Sequence, residues 1–178
     1  GTVGTTNGIS ATGAVSIGTK TGDLTVTKPV STTSTSATAA LVLNANIDAT
    51  SGSSTGGNLI LTGSPTMSVG SGGLGKLYTG SISGSTGLTG LTNLASASGR
   101  FRYNADETTN FATGSWTNLG TGLYAVYREQ PTANISNLTL SMTYGDALPS
   151  MTATGTVNGD GSSYSITSAA YSSTSKLK

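Results

Sequence analysis

Short clusters of apolar residues, separated by hydroxyl residues, run through the first 75 positions of the chain. In Leu24-Thr25-Val26, for example, the apolar side chains fall at every second position. A period of two indicates a strand with one buried face, and flanking Gly, Ser and Asn are typical of turns. Good helix formers such as Glu, Lys, Gln and Arg are scarce. The pattern predicts an all-β fold, with strands at Val15–Ile17, Leu24–Val26, Leu41–Leu43, Leu59–Leu61 and Met67–Val69.

The intervals between these clusters predict how the strands are arranged. Val15 and Leu24 are nine residues apart, and Leu59 and Met67 are eight apart. Strands that recur at such intervals stack as the coils of a right-handed β-solenoid, or β-helix, with apolar rows inside and Gly or Asn at the corners. A two-sheet β-sandwich has similar short strands and is the alternative. The predicted inward rows hold Val15, Ile17, Leu24, Val26, Leu41, Leu43, Leu59 and Leu61.

Aromatic residues are absent from the first 75 positions and begin at Tyr78. A solenoid needs a cap because its open end exposes unpaired strand edges, and bulky aromatic side chains suit that role. We therefore predict solenoid coils over residues 1–75, an aromatic-rich β cap over 76–130, and a small β module over 131–178. The candidate cap or binding aromatics are Phe101, Tyr103, Trp116 and Tyr124.

Composition and charge exclude several classes of function. The chain has no Cys and no His, so disulfides, thiolate metal sites and Ser-His-Asp triads are excluded. A net charge of +1 is too small for counterion-driven binding of nucleic acid, so no nucleic acid partner is expected. We also expect no membrane span, because no apolar run reaches roughly 18 residues. With 8% charged residues, charge repulsion would not keep the chain unfolded.

The sequence contains few residues that could form a catalytic or metal-binding site. A glycosidase needs two carboxylates that flank a bond, but Asp106 and Glu107 are adjacent and would point to opposite faces of a strand. Asp23 and Asp48 could meet on neighbouring coils. Asn158-Gly159-Asp160-Gly161 lacks the remaining ligands of a Ca²⁺ loop and is better explained as a hairpin turn. We therefore expect no enzymatic activity, no cofactor and no metal.

Several segments together carry a family resemblance. Tyr127–Pro131, followed by Leu138–Pro149 with its Tyr144-Gly145-Asp146, resembles the start of the YDG/MBG-type modules of giant bacterial adhesins. Gly99–Glu107 resembles the region before such modules, and Gly22–Thr27 resembles a β-helix coil of the same proteins. These adhesins are similar to filamentous haemagglutinins of the two-partner secretion type. The resemblance is stronger over residues 76–178, and it implies a β-helix followed by a β module that is short, and so incomplete or completed by another chain.

These observations favour a structural function. The resemblance implies a stalk or filament segment of a secreted or cell-surface bacterial adhesin, located outside the cell. Unpaired strand edges would let it assemble with itself, end to end or by strand addition. The alternative is a module that binds glycan or a host surface through exposed aromatics of the 76–130 region. Two further hypotheses are a carbohydrate-active enzyme and an ice-binding face with ranks of Thr such as Thr25 and Thr27.

Overall fold

The computed structural model describes residues 2–3, 7–95, 98–111, 118–131, 133–135, 153–157 and 163–166. Most of the described strands belong to three parallel sheets. Over the first nine strands the chain visits the sheets in rotation, so each of the strands β1 to β6 pairs with the strand three places later. The first nine strands are β1 (Thr2–Val3), β2 (Ile9–Ala11), β3 (Val15–Gly18), β4 (Leu24–Val26), β5 (Val30–Thr32), β6 (Leu41–Asn44), β7 (Leu59–Leu61), β8 (Met67–Ser68) and β9 (Leu74–Thr79).

The three sheets differ in width. Their strand orders are β1-β4-β7, β2-β5-β8 and β10-β11-β9-β6-β3. The two added strands are β10 (Phe101–Arg102) and β11 (Gly122–Tyr127), and a single 3-10 turn at Leu88–Gly90 lies between β9 and β10. β11 lies directly beside β9, and β10 lies outside β11 although it precedes β11 in the sequence.

The core lies on the faces of the sheets where apolar residues of like size are in register. Leu24 pairs with Leu59, and Val26 pairs with Leu61, so that each apolar residue lies against the next along the sheet. Because side chains alternate between the two faces of a strand, the intervening Thr25 and Ile60 point the other way and are only half-buried. Each fully buried Leu or Val of this kind stabilises the fold by roughly 1.5–3 kcal/mol.

The right-handed β-solenoid predicted from the sequence is wrong. A regular solenoid repeats one closed coil along its axis, so that paired strands lie a similar number of residues apart. Here the interval between paired residues rises from 23 (Thr2 to Thr25) to 35 (Leu24 to Leu59). The described strands instead form separate, mostly parallel sheets of three, three and five strands that are not closed. The nine- and eight-residue intervals separate strands of different sheets and therefore say nothing about coil length.

The last described strands form a separate antiparallel sheet. They are β12 (Ala133–Ile135), β13 (Ala153–Val157) and β14 (Ser163–Ile166), in the order β12-β13-β14. β13 and β14 pair with Thr156 opposite Ser163, on either side of the predicted hairpin turn at 158–161. That turn lies outside the described residues. In the described part of the chain, no helix has the length and apolar character needed to cross a membrane.

Candidate strand-edge interface

Six of the eight residues predicted for the inward rows are buried, and two are not. Val15 and Ile17 are half-buried and pack against the main core. They lie on β3, an outer strand of its sheet that has a neighbour on one side only, so one side of each residue is uncovered. The six residues less than 5% exposed are Leu24, Val26, Leu41, Leu43, Leu59 and Leu61.

The predicted aromatics that the structure describes are buried rather than displayed. Phe101 and Tyr103 stack on the ring of Tyr127, with centroids 6.3 and 5.4 Å apart and nearly parallel planes. Tyr124 is 7% exposed, and its hydroxyl oxygen accepts a hydrogen bond from the Gly120 N–H at 2.9 Å. Such rings offer no free face to a sugar. Trp116 lies outside the described residues.

Two arginines lie over Tyr124. The guanidinium carbons of Arg100 and Arg102 are 5.0 and 5.2 Å from the centre of its ring, which is cation–π range. Arg100 also donates a hydrogen bond to the Thr121 carbonyl at 2.7 Å. The Arg100–Tyr103 segment is therefore occupied by contacts within the protein.

Arg128 is a buried charged residue whose importance the sequence did not predict. Its side chain is fully buried, and its two terminal nitrogens donate hydrogen bonds to the Ala45 carbonyl (2.8 Å) and to Asn44 Oδ1 (2.5 Å). Glu107 Oε2 lies 3.8 Å from Nη2. Burial lowers the pKa of Arg128, and the neighbouring Glu107 opposes that shift. The one available signal was a charged residue directly after the apolar run that ends at Tyr127.

Three of the described carboxylates bind the backbone of distant segments. Asp106, Asp23 and Glu129 accept hydrogen bonds from the backbone N–H groups of Ser51 (2.8 Å), Asn58 (2.7 Å) and Ile82 (2.6 Å), respectively. Each bond joins segments at least 35 residues apart in the sequence. Across the described ranges, no group of three or more acidic residues could hold a metal ion.

Asp106 is the most strongly bound of these carboxylates. Burial alone would raise its pKa, but hydrogen bonds from Thr108, Ser51 and Thr109 outweigh burial and lower the pKa to about 2. The carboxylate is therefore ionised at neutral pH. It joins the turn that contains Ser51 to the Thr108–Thr109 turn, which is a structural use of the charge.

The outer strand edges are covered in different ways. The free side of β7 is bonded by Thr86, whose carbonyl accepts from Leu61 N–H (2.9 Å) and whose N–H donates to Leu59 (3.1 Å). β11 covers β9. On β10, the Arg102 guanidinium donates to the Phe101 carbonyl, and it also donates to the carbonyl of Gly99 just before the strand, both at 2.9 Å.

In the described part of the three parallel sheets, β1, β2, β3 and β8 have an outer edge that neither a strand, a bridging residue nor a side chain covers. β1, β2 and β3 each begin their sheet, and β8 is the last strand of the β2-β5-β8 sheet. Beside β8 is a cavity of about 450 Å³ between Thr66–Gly72 and the turns that carry Asn93 and Thr121. Unpaired strand edges are templates for pairing with another chain. The edges are therefore the best candidate interface in the described part of the protein.

Comparison of the chain with protein-family models, with curated proteins and with solved structures found no match in any of the three. The functional argument therefore depends on the geometry of the strands and on the residues that cover or expose their edges.

Proposed function

We propose that this chain is a non-catalytic structural segment of a secreted or cell-surface bacterial protein of the adhesin type, and that it assembles through its strand edges. The proposal depends mainly on one observation, the unbroken parallel ladder β3-β6-β9-β11-β10 backed by buried apolar rows. Such a ladder transmits load through many backbone hydrogen bonds and needs few charged residues to stay folded.

The use of charge supports the same proposal. Asp23, Asp106 and Glu129 bind backbone N–H groups, and Arg128 binds a backbone carbonyl. A carbohydrate-active enzyme instead needs two carboxylates that converge on one bond. Ionisable groups that bridge distant segments of the framework suit a load-bearing part.

The edges of β1, β2 and β3 are the proposed assembly surface. All three lie at the same end of the sheets, and each has a strand neighbour on one side only. Two copies that meet through this same end would form a closed, symmetric pair, because an isologous contact uses the same patch on both partners. We therefore expect dimers of a stalk segment rather than unlimited fibres from this surface alone.

The variant Ser10→Pro tests this assembly surface. Ile9 N–H donates inward to the Pro29 carbonyl at 2.8 Å, so the N–H of the next residue, Ser10, points to the outer edge. Proline is tolerated on an edge strand when its missing N–H faces outward. We expect Ser10→Pro to keep the melting temperature within a few degrees while abolishing concentration-dependent dimers in sedimentation.

The control is Ile9→Pro, which removes the inward bond and should lower the melting temperature. Ser10→Pro dimers as stable as those of the unmodified chain would exclude this surface. Monomers at all concentrations of the unmodified chain would contradict assembly itself.

Glycan binding through the aromatic region is less well supported, because Phe101, Tyr103 and Tyr124 are each no more than 7% exposed. A glycan array of the unmodified chain and of Trp116→Ala separates the two functions. If the chain is structural, we expect no glycan signal from either protein. A signal that Trp116→Ala abolishes would contradict the structural proposal and favour a binding module.

A further inference from the structure

β8 is the last strand of the β2-β5-β8 sheet, and among the described residues no strand, bridging residue or side chain bonds to its outer edge. The strands on either side of it in the sequence are both covered. Thr86 bonds to the edge of β7, and β11 pairs along the edge of β9. The edge of β8 is therefore open, while the edges of β7 and β9 are covered.

The register identifies the backbone groups that face this gap. Val30 N–H donates to the Thr66 carbonyl, and Gly70 N–H donates to the Ser34 carbonyl, both at 3.0 Å. In a parallel pair, alternate residues point their N–H and C=O to opposite sides of the strand. The N–H and C=O groups of Met67 and Val69 therefore point outward, and no hydrogen bond from a described residue reaches them.

A groove of suitable size lies along this edge. Its volume is about 450 Å³, and Val69 lines one wall while Asn93, Thr121 and Leu123 line the other. The volume falls in the range of roughly 300–1,000 Å³ that ligand sites occupy. None of the residues that line this groove is charged, so a strongly charged partner would gain nothing from it.

We propose that the β8 edge is an acceptor site for a single extended polypeptide strand, which adds parallel to β8. The rows of side chains on the β2-β5-β8 sheet indicate which residue types the added strand should have. Ile9, Val30 and Met67 form one row, and Ser10, Ser31 and Ser68 form the next. The added strand continues these rows, so it alternates apolar residues, facing inward beside Met67, with small hydroxyl residues facing outward beside Ser68.

A whole second copy does not fit this site. If the β2 strand of a second copy paired with β8, the β3 strand of that copy would have to lie beside β9. That position is already taken by β11. Thr86 likewise occupies the edge of β7. An isolated strand has no such neighbours, so the acceptor site selects a peptide segment. This inference does not depend on the chain being part of an adhesin.

The test uses a synthetic peptide with the required alternation, the Asn7–Gly13 sequence Asn-Gly-Ile-Ser-Ala-Thr-Gly. With its Ile beside Met67, its Ser and Thr N–H groups donate to the outward carbonyls of Met67 and Val69. We expect titration into the full chain to shift the NMR signals of the Met67 and Val69 amides. N-methylation of the peptide Ser and Thr should weaken binding about tenfold or more, since two of its hydrogen bonds are lost.

The matched control is the same peptide N-methylated at Ile and Ala, whose N–H groups face away from β8, and it should bind as the parent does. The variant Val69→Pro removes one outward N–H and should weaken the parent peptide while leaving the spectrum of β9 and β11 unchanged. Equal binding of the two N-methylated peptides, or no shift at Met67 and Val69, overturns the proposal. So does a neutral oligosaccharide that occupies the groove when the peptide does not.

Discussion

At the residue scale, the described buried charged side chains form hydrogen bonds that hold distant backbone segments together. Arg128 joins the end of β11 to the Asn44–Ala45 segment, more than 80 residues away in the sequence. Asp106 joins two turns through Ser51 and Thr108. A charge buried in this way is costly unless its hydrogen bonds are made, so losing these bonds should be among the most destabilising single changes.

Arg128→Ala is predicted to lower the free energy of unfolding by about 3 kcal/mol, because it leaves Asn44 Oδ1 and the Ala45 carbonyl without their donor. Urea unfolding followed by circular dichroism measures the change. Lys20→Ala, at an exposed position, is the control and should stay within about 0.5 kcal/mol of the unmodified chain. Equal effects of the two substitutions would show that the Arg128 bonds contribute nothing to stability.

Asp106 predicts a loss of stability in acid. Its folded-state pKa of about 2 lies below the ordinary value of 3.8 for an aspartate. Its contribution is therefore complete above about pH 4 and is lost as the pH falls towards 2. Solvent screening limits the contribution of this shift to no more than about 2 kcal/mol. Urea unfolding at several pH values should show this slope, and Asp106→Asn should flatten it. An unchanged slope in the variant would assign the acid sensitivity to other groups.

The residue patterns predicted which side chains face inward better than which charges matter. Leu24 and Val26 were found from local alternation, since a period of two reports the buried face directly. Arg128 could not be found in this way, because its partners Asn44 and Ala45 are close to it only after folding. Its bonds depend on which strands lie together, and that information is not local.

At the element scale, the described strands are distinguished mainly by how their edges are covered. A bridging Thr86 covers β7, β11 covers β9, and the Arg102 side chain covers the Phe101 carbonyl of β10. Charged side chains at an edge are a known means of preventing unwanted pairing. Among the described strands, the uncovered edges of β1, β2, β3 and β8 are therefore the places where pairing with another strand is permitted.

Gly70→Ala should separate β8 from its neighbour. A Cβ at Gly70 would meet the backbone carbonyl oxygen of Ser34 at 2.7 Å, which no side-chain movement can relieve. We expect a loss of about 1–3 kcal/mol in the free energy of unfolding. Gly13→Ala is the control, because a Cβ at Gly13 would have no atom within 4 Å. A loss no larger than that of Gly13→Ala would mean that β5 and β8 are not tightly packed there.

At the whole-molecule scale, the strand positions could be predicted but their arrangement could not. The clusters at Val15–Ile17, Leu41–Leu43 and Leu59–Leu61 lie in β3, β6 and β7. Which strands pair depends on connections of unequal length, from 21 residues between Ile9 and Val30 to 37 between Val30 and Met67. The local apolar pattern contains no information about which distant strands pair. For this reason it predicted a regular solenoid, which the structure does not show.

Amide hydrogen exchange, read residue by residue by NMR on the free protein, tests most directly the claim that the outer edges of β2 and β8 are the open surfaces. Adjacent residues provide internal pairs, since Ile9 and Gly70 donate inward while Ser10 and Val69 face outward. We predict slow exchange at Ile9 and Gly70 and fast exchange at Val69, with fast exchange at Ser10 in dilute, monomeric protein, because the proposed dimer would protect Ser10. Equal protection within both pairs would contradict the claim.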